Sequence, residues 1–204
     1  MYFVLSLDEG EDPAFDVANY VNYELNMGDS FCQKISVNSV NEWNNAFDTI
    51  VNESSPESIP IVYVECHGSR NGDLVIGGKS SNERIRMKDF MIQFTGLANK
   101  CNQKLLLVTA ICYGLSFFRK VGKLEESSPL SCVIGSYTKQ SSIDICDRYS
   151  FFFRELLKRI GGGNVNSAFH AMGKAYEGRA TLEEWAKEKR YGILTYKKKR
   201  FLPE

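Results

Sequence analysis

The chain is poor in histidine and has no excess charge of either sign, and both shortages exclude functions. Only His67 and His170 occur among 204 residues, and the six cysteines form no CxxC pair. A Cys/His zinc site is therefore not expected, and neither is any other metal or cofactor. Lys+Arg and Asp+Glu each number 25, so no global field draws the chain to nucleic acid or to an anionic membrane. No run approaches the ~18 apolar residues of a membrane span. The first residues, Met1 to Asp8, carry no basic segment and turn acidic at once, unlike a secretory signal. Cysteines in such a chain are expected as thiols in a reducing cytoplasm rather than as a disulfide framework. A glycine-rich phosphate loop is also missing after the first apolar run. Asp8-Glu9-Gly10-Glu11 stands there and would repel phosphate, which argues against a nucleotide-binding module of flavodoxin-like topology.

What is present is an ordinary globular composition, with 43% apolar, 25% charged and 12% aromatic residues. At about 150 residues per domain the length favours one domain over 1–204. Apolar runs alternate with helical periodicity. Strands are expected at Tyr2–Leu7, Phe31–Val37, Ile59–Cys66, Lys104–Ile111 and Ser131–Tyr137, with a small hairpin after Asn71-Gly72. Helices are expected from Asp12 to Leu25, after Ser39 or Asn41 (through Trp43, Ala46, Phe47 and Ile50), over Met87–Asn99, over Tyr149–Ile160, and after Asn164 or Asn166. Strands alternating with helices imply a mostly parallel central sheet with helices on both faces, an α/β three-layer sandwich.

In such a sheet chemistry collects at the carboxyl ends of the strands. Two ends here carry reactive residues. Ile61-Val62-Tyr63-Val64-Glu65-Cys66 runs into His67-Gly68, and Leu105-Leu106-Leu107-Val108-Thr109-Ala110-Ile111 runs into Cys112-Tyr113-Gly114. On neighbouring strands the imidazole and the thiol would face one crevice. That pair suits acyl transfer: the imidazole favours the thiolate and its protonated form then serves the leaving amine. Glycine after each residue lets backbone approach a scissile carbonyl and leaves N–H groups to hold an oxyanion. Cys66 lies next to His67, but strand alternation turns the two to opposite faces. His170, in an apolar helical register, reads as structural, as do the remaining cysteines.

These two anchors resemble those of the caspase-like cysteine peptidases: caspases, metacaspases, separase and the bacterial CHAT proteases. The order of elements agrees over roughly residues 1–175, and the 45-residue separation of His67 from Cys112 is close to the spacing in caspases. The resemblance implies a caspase-like sandwich and a cysteine endopeptidase with Cys112 as nucleophile and His67 as acid/base. It places the oxyanion on the backbone N–H groups of Gly68 and Cys112. One departure is clear. Where caspases carry Gln and metacaspases Asp, two positions before the nucleophile, this chain has Ala110.

By the same resemblance, the stretch Gly135 to Arg148 shapes the pocket for P1, the side chain immediately before the scissile bond. Ser136, Tyr137, Asp144 and Asp147 are the candidate substrate-binding residues, and the two acids favour a basic P1. Asp147 could instead cap the helix at Tyr149. Arg70 or Lys139 would suit an acidic P1. With a basic P1, Lys120 or Lys123 in the segment 114–130 would be a point of self-cleavage.

Residues 176–204 are expected as a charged helix around Trp185 and a basic tail, Tyr196 to Phe201, that is solvated or docks on an acidic partner. No specific nucleic-acid partner is expected. The partners implied are a protein or peptide substrate and, by analogy with bacterial relatives of this size that act in phage defence or cell death, an activating sensor protein. A catalytically silent caspase-like adaptor is the alternative.

Overall fold

The computed structural model describes residues 1–8, 17–24, 32–69, 72–102, 105–114, 132–136, 139–160 and 191–195. Within them, β1 (Tyr2–Ser6), β2 (Gln33–Ser36), β3 (Ile61–Gly68), β6 (Leu106–Ile111), β7 (Cys132–Ser136) and β8 (Tyr191–Thr195) form one sheet in the order β2-β1-β3-β6-β7-β8. All neighbours pair in parallel except β7 with β8, which are antiparallel. A hairpin of β4 (Asp73–Ile76) and β5 (Glu83–Arg86) attaches where β4 runs antiparallel to His67-Gly68 at the end of β3.

The helices α1 (Val40–Glu53), α2 (Met87–Lys100) and α3 (Ser142–Ile160) cover the sheet together with a helical segment at 17–24. Strand alternation sorts the sheet residues between two apolar layers. Val4, Val62, Val64, Cys66, Leu107 and Ile111 face α1 and α2, where Trp43, Phe47, Phe90 and Phe94 stack at ring separations of 4.5–6.4 Å. Phe3, Leu5, Tyr63, Val108 and Ala110 face the opposite layer, which holds Val17, Ala18 and Val21 with Tyr149, Phe152, Phe153 and Leu156 of α3. The chain is thus α/β with a mostly parallel sheet covered on both faces, as its alternating pattern implied.

Local chemistry explains the helix starts. Ser39 caps α1 by accepting the Glu42 N–H at 3.2 Å, while Glu42 reaches back to the Asn38 N–H at 2.6 Å, a close relative of the capping box. Glu83, on β5, accepts the Val40 N–H at 2.9 Å and so ties the hairpin to α1. Ser141 caps α3 by accepting the Asp144 N–H at 3.2 Å. That cap starts the helix seven residues earlier than the aromatic pattern from Tyr149 indicated, because residues 142–147 bury only Ile145 and so carry no apolar stripe.

Two strands were not legible in the sequence. β5 is short, charged and exposed at three of its four positions, so it has no apolar run to mark it. β8 pairs with β7 beyond the 1–175 stretch that carried the family's element order. The remainder of 176–204, with the expected Trp185 helix and the basic tail, lies outside the described residues, as do Arg70, Lys120, Lys123, the rest of the segment 115–131 and His170. Among the described residues no helix is long and apolar enough to cross a membrane.

Burial of thiols in these layers has a measurable consequence. Burial, and then the Glu65 charge beside it, pushes the Cys66 thiol far up. Burial raises Cys32 from its ordinary 9.0 to about 11. Burial and a bond to Glu53 raise Tyr2 from 10.0 to about 12. The folded chain therefore keeps protons that the unfolded chain gives up above pH 9, so unfolding is favoured as pH rises through that point. We expect the urea midpoint, measured in reductant, to hold steady up to about pH 8.5 and to fall between pH 9 and 11.

Candidate active site

Pairing of β3 with β6 sets the site. The register runs Ile61↔Leu106 through Cys66↔Ile111, so His67 and Cys112 each stand one residue past the last pair of two adjacent parallel strands. Alternation turns His67 toward the α3 face, the side shared by Tyr63, Val108 and Ala110, and away from the α1–α2 face that holds Cys66, while Cys112 stands in the turn after β6 with its sulfur beside the Gln140 main chain. Cys66 is packed in that layer with its thiol held protonated by burial. Cys112 is half-buried at the crevice. Cys66 thus lies in the layer opposite the histidine, while Cys112 follows the last paired residue of β6.

Glycine is required beside this pair. A Cβ on Gly68 would collide with the Cys112 carbonyl and lie 2.6 Å from Ile111 Cγ2. The main chains of 68 and 112 therefore touch, which brings together the two backbone segments whose N–H groups the sequence assigned to an oxyanion. Beyond Cys112 the chain turns sharply. Tyr113 adopts φ 62°, uncommon for a residue with a side chain, and a Cβ on Gly114 would stand 3.0 Å from Thr109 Oγ1. The thiol ends β6 on a tight turn rather than on a continuing strand.

The histidine has an acid that sequence reasoning had read only as repelling phosphate. Asp8 Oδ2 lies 3.7 Å from His67 Nε2. The separation is ionic, longer than a hydrogen bond, and Nε2 is buried with no hydrogen-bond partner among the described residues. Asp8 is itself held in place. It accepts the Lys79 N–H at 3.0 Å and rests against Gly78, where a Cβ would strike its carboxylate. Ser6, two residues earlier, accepts the Gly77 N–H at 2.7 Å. The hairpin loop 77–79 thus fixes the end of β1 over the end of β3. The Asp8 side chain is 40% exposed and that of His67 25%, so solvent screens the pair and its worth is orientation more than stability. Its signal in the sequence was position alone, an acid just past the first strand.

On the other side of the thiol lies Gln140. Its main-chain N–H points at Cys112 Sγ at 3.5 Å. Its side-chain Nε2 lies 3.5 Å from the Tyr149 hydroxyl, which donates to the Thr109 carbonyl at 2.8 Å. The residues expected to bind substrate separate. Ser136 is fully buried at the end of β7, one step past the pair Thr109↔Gly135 and so beside Ala110. Asp144 and Asp147 are on α3 rather than in a loop. The Asp144 carboxylate accepts the Ser141 hydroxyl at 2.7 Å as part of the helix cap, and Asp147 is exposed. Tyr137 lies outside the described residues. No group of three or more His, Cys, Asp or Glu among the described residues is placed to hold a metal ion.

Comparison of the chain with protein-family models and with curated proteins gave no match.

The contact of Gly68 with Cys112 is open to direct measurement. Gly68→Ala must push the two main chains apart, and we expect a loss of about 1–3 kcal/mol in urea unfolding. The rate at which a small alkylating reagent modifies Cys112 should change with it.

Proposed function

We propose that the chain is a cysteine endopeptidase of caspase-like fold, hydrolysing peptide bonds through Cys112 and His67. One observation carries this reading: the parallel register that ends in Cys66↔Ile111 leaves His67 and Cys112 each one residue past the last pair of two adjacent strands. The cleavage begins when the Cys112 thiol gives its proton to His67 and the sulfur attacks the scissile carbonyl. The carbonyl oxygen, now negative, is held by the backbone N–H groups of Gly68 and Cys112. As the C–N bond breaks, the imidazolium returns its proton to the departing amine and leaves an acyl-thioester. Water, deprotonated by His67, then hydrolyses the thioester and restores the thiol.

Asp8 acts through His67 and not on the substrate. Its carboxylate faces Nε2, which favours the imidazolium during transfer and leaves Nδ1 for the exchange with sulfur. Basic residues at P1 and service as an effector beside a separate sensor in bacterial defence belong to the same proposal. The caspase-like resemblance supports both.

Peptide-library cleavage read by mass spectrometry tests the proposal. Wild-type protein should cut, and Cys112→Ala and His67→Ala should each remove the cutting by at least about 1000-fold. Cutting that persists in Cys112→Ala would sink the assignment, and a chain that cuts nothing while its 112 thiol stays inert would be the adaptor. Asp8→Asn should lower kcat by about tenfold or more with KM little changed, because orientation of His67 matters in the chemical step. An equal loss in KM alone would remove Asp8 from that role.

A further inference from the structure

The sulfur of Cys112 stands against the main chain of a single residue. The Gln140 N–H donates to Sγ at 3.5 Å, and the sulfur lies 4.0 Å from the Gln140 carbonyl oxygen. The donor is the nearer of the two, so a negative charge on the sulfur meets an N–H before it meets a carbonyl dipole. Among the described residues no other hydrogen bond reaches this sulfur.

Gln140 belongs to neither helix nor strand, so its N–H takes no part in a backbone ladder. The donor is nevertheless held from two directions. Ser141, the next residue, caps α3: its hydroxyl accepts the Asp144 N–H at 3.2 Å and its carbonyl the Ile145 N–H at 3.0 Å. The Gln140 side chain turns back to the sheet, where Nε2 lies 3.5 Å from the Tyr149 hydroxyl. That hydroxyl donates to the Thr109 carbonyl at 2.8 Å, and the buried Tyr149 ring is set edge-on against Tyr63 at 5.4 Å. Thr109 is on β6, three residues before Cys112. The brace therefore closes on itself, from the strand that carries the sulfur, through Tyr149 and Gln140, back to the sulfur.

A glutamine is an unexpected choice there on packing grounds. Its Oε1 is buried and has no hydrogen-bond partner among the described residues, a cost that a methionine of similar length would not carry. The amide is kept for what its Nε2 holds.

We infer that the Gln140 main-chain N–H is a catalytic group that holds the negative sulfur, with the Gln140 side chain and Tyr149 as its positioning residues. The inference rests on the peptidase reading above and adds a third partner to the dyad. When His67 takes the thiol proton, the charge left on sulfur faces a fixed donor, and a hydrogen bond to an ionised group is stronger than one to a neutral group. The thiolate is the form that attacks the carbonyl, and a donor already in place needs no rearrangement at that moment. This role is separate from that of the Gly68 and Cys112 N–H groups, which serve the substrate oxygen.

Replacing Gln140 by its α-hydroxy acid turns the amide into an ester, which removes the N–H and keeps every side chain. Tyr149→Phe removes the positioning hydroxyl and keeps the ring. The readout is labelling of Cys112 by iodoacetamide near neutral pH, followed by mass spectrometry on protein shown by its urea midpoint to be folded. Losing the donor should cut the thiolate population about tenfold, and the greater intrinsic nucleophilicity of the remainder returns part of that. Both proteins should therefore label about threefold or more slowly than wild type. Loosened packing alone would expose the sulfur and speed labelling, so the direction of change separates the two roles. An unchanged or faster rate in the ester protein overturns the inference, and in Tyr149→Phe it overturns the positioning role. Should the ester protein fail to fold, Tyr149→Phe alone decides. On peptides that wild type cuts, both changes should lower kcat about threefold or more with KM within about twofold. Undiminished cutting by a slowed thiol overturns the catalytic role and leaves the peptidase reading intact. Wild-type protein that cuts no peptide while iodoacetamide labels Cys112 overturns the peptidase reading, and the catalytic role falls with it.

Discussion

Everything proposed for this chain depends on the parallel pairing of β3 with β6. The two strands come from segments 45 residues apart at their reactive ends, and only a ladder held in one register makes those ends adjacent. A slip of one residue would turn Cys112 to the α1–α2 face and leave Cys66 opposite the wrong neighbour. The two apolar layers prevent that slip. Each is built from alternate residues of the same strands, so a shift would carry Tyr63, Val108 and Ala110 into the layer packed by Trp43, Phe47 and Phe94. The register that makes the site is the register that buries the core.

Around this ladder the site is assembled from parts with different mechanical roles. The sheet supplies His67 and Cys112 on rigid backbone. The β4–β5 hairpin, tied to α1 through Glu83, presents loop 77–79 to Asp8 and Ser6 and so steers the acid toward the histidine. The segment before α3 brings Gln140 to the sulfur. Close main-chain contact at Gly68 and the turned backbone at Tyr113 leave little room for side chains, which is why both glycine positions matter more than their size suggests. The hydroxyls of Tyr63 and Tyr149 and the side chains of Glu65 and Gln140 bring polar atoms into the otherwise apolar layer on the α3 face.

Residues with strong apolar periodicity announced their own structure. The two core strands, the Ser39 cap with its Trp43, Phe47 and Ile50 face, and the Met87 helix could all be read along the chain. So could the reactive strand ends, because a histidine and a cysteine each followed by or close to glycine stand out after runs of buried residues. β5 could not be read, since a charged four-residue edge strand is recognisable only from its partner. The early start of α3 was missed for a related reason: of residues 142–147 only Ile145 is buried, and Ser141 marks them only once the helix is seen to begin there. That shift moved Asp144 and Asp147 from a pocket loop to a helix.

The sequence by itself determined which apolar runs are strands, which residue types are reactive and where on the chain they sit, because burial demands apolar runs and periodicity reports them locally. Tertiary structure alone decided which distant residues meet. Asp8 joins His67 across 59 positions beside a hairpin loop, and the register between β3 and β6 brings His67 and Cys112 to adjoining strand ends. Such meetings depend on how strands are ordered and aligned in the sheet, and no local pattern in the chain records that.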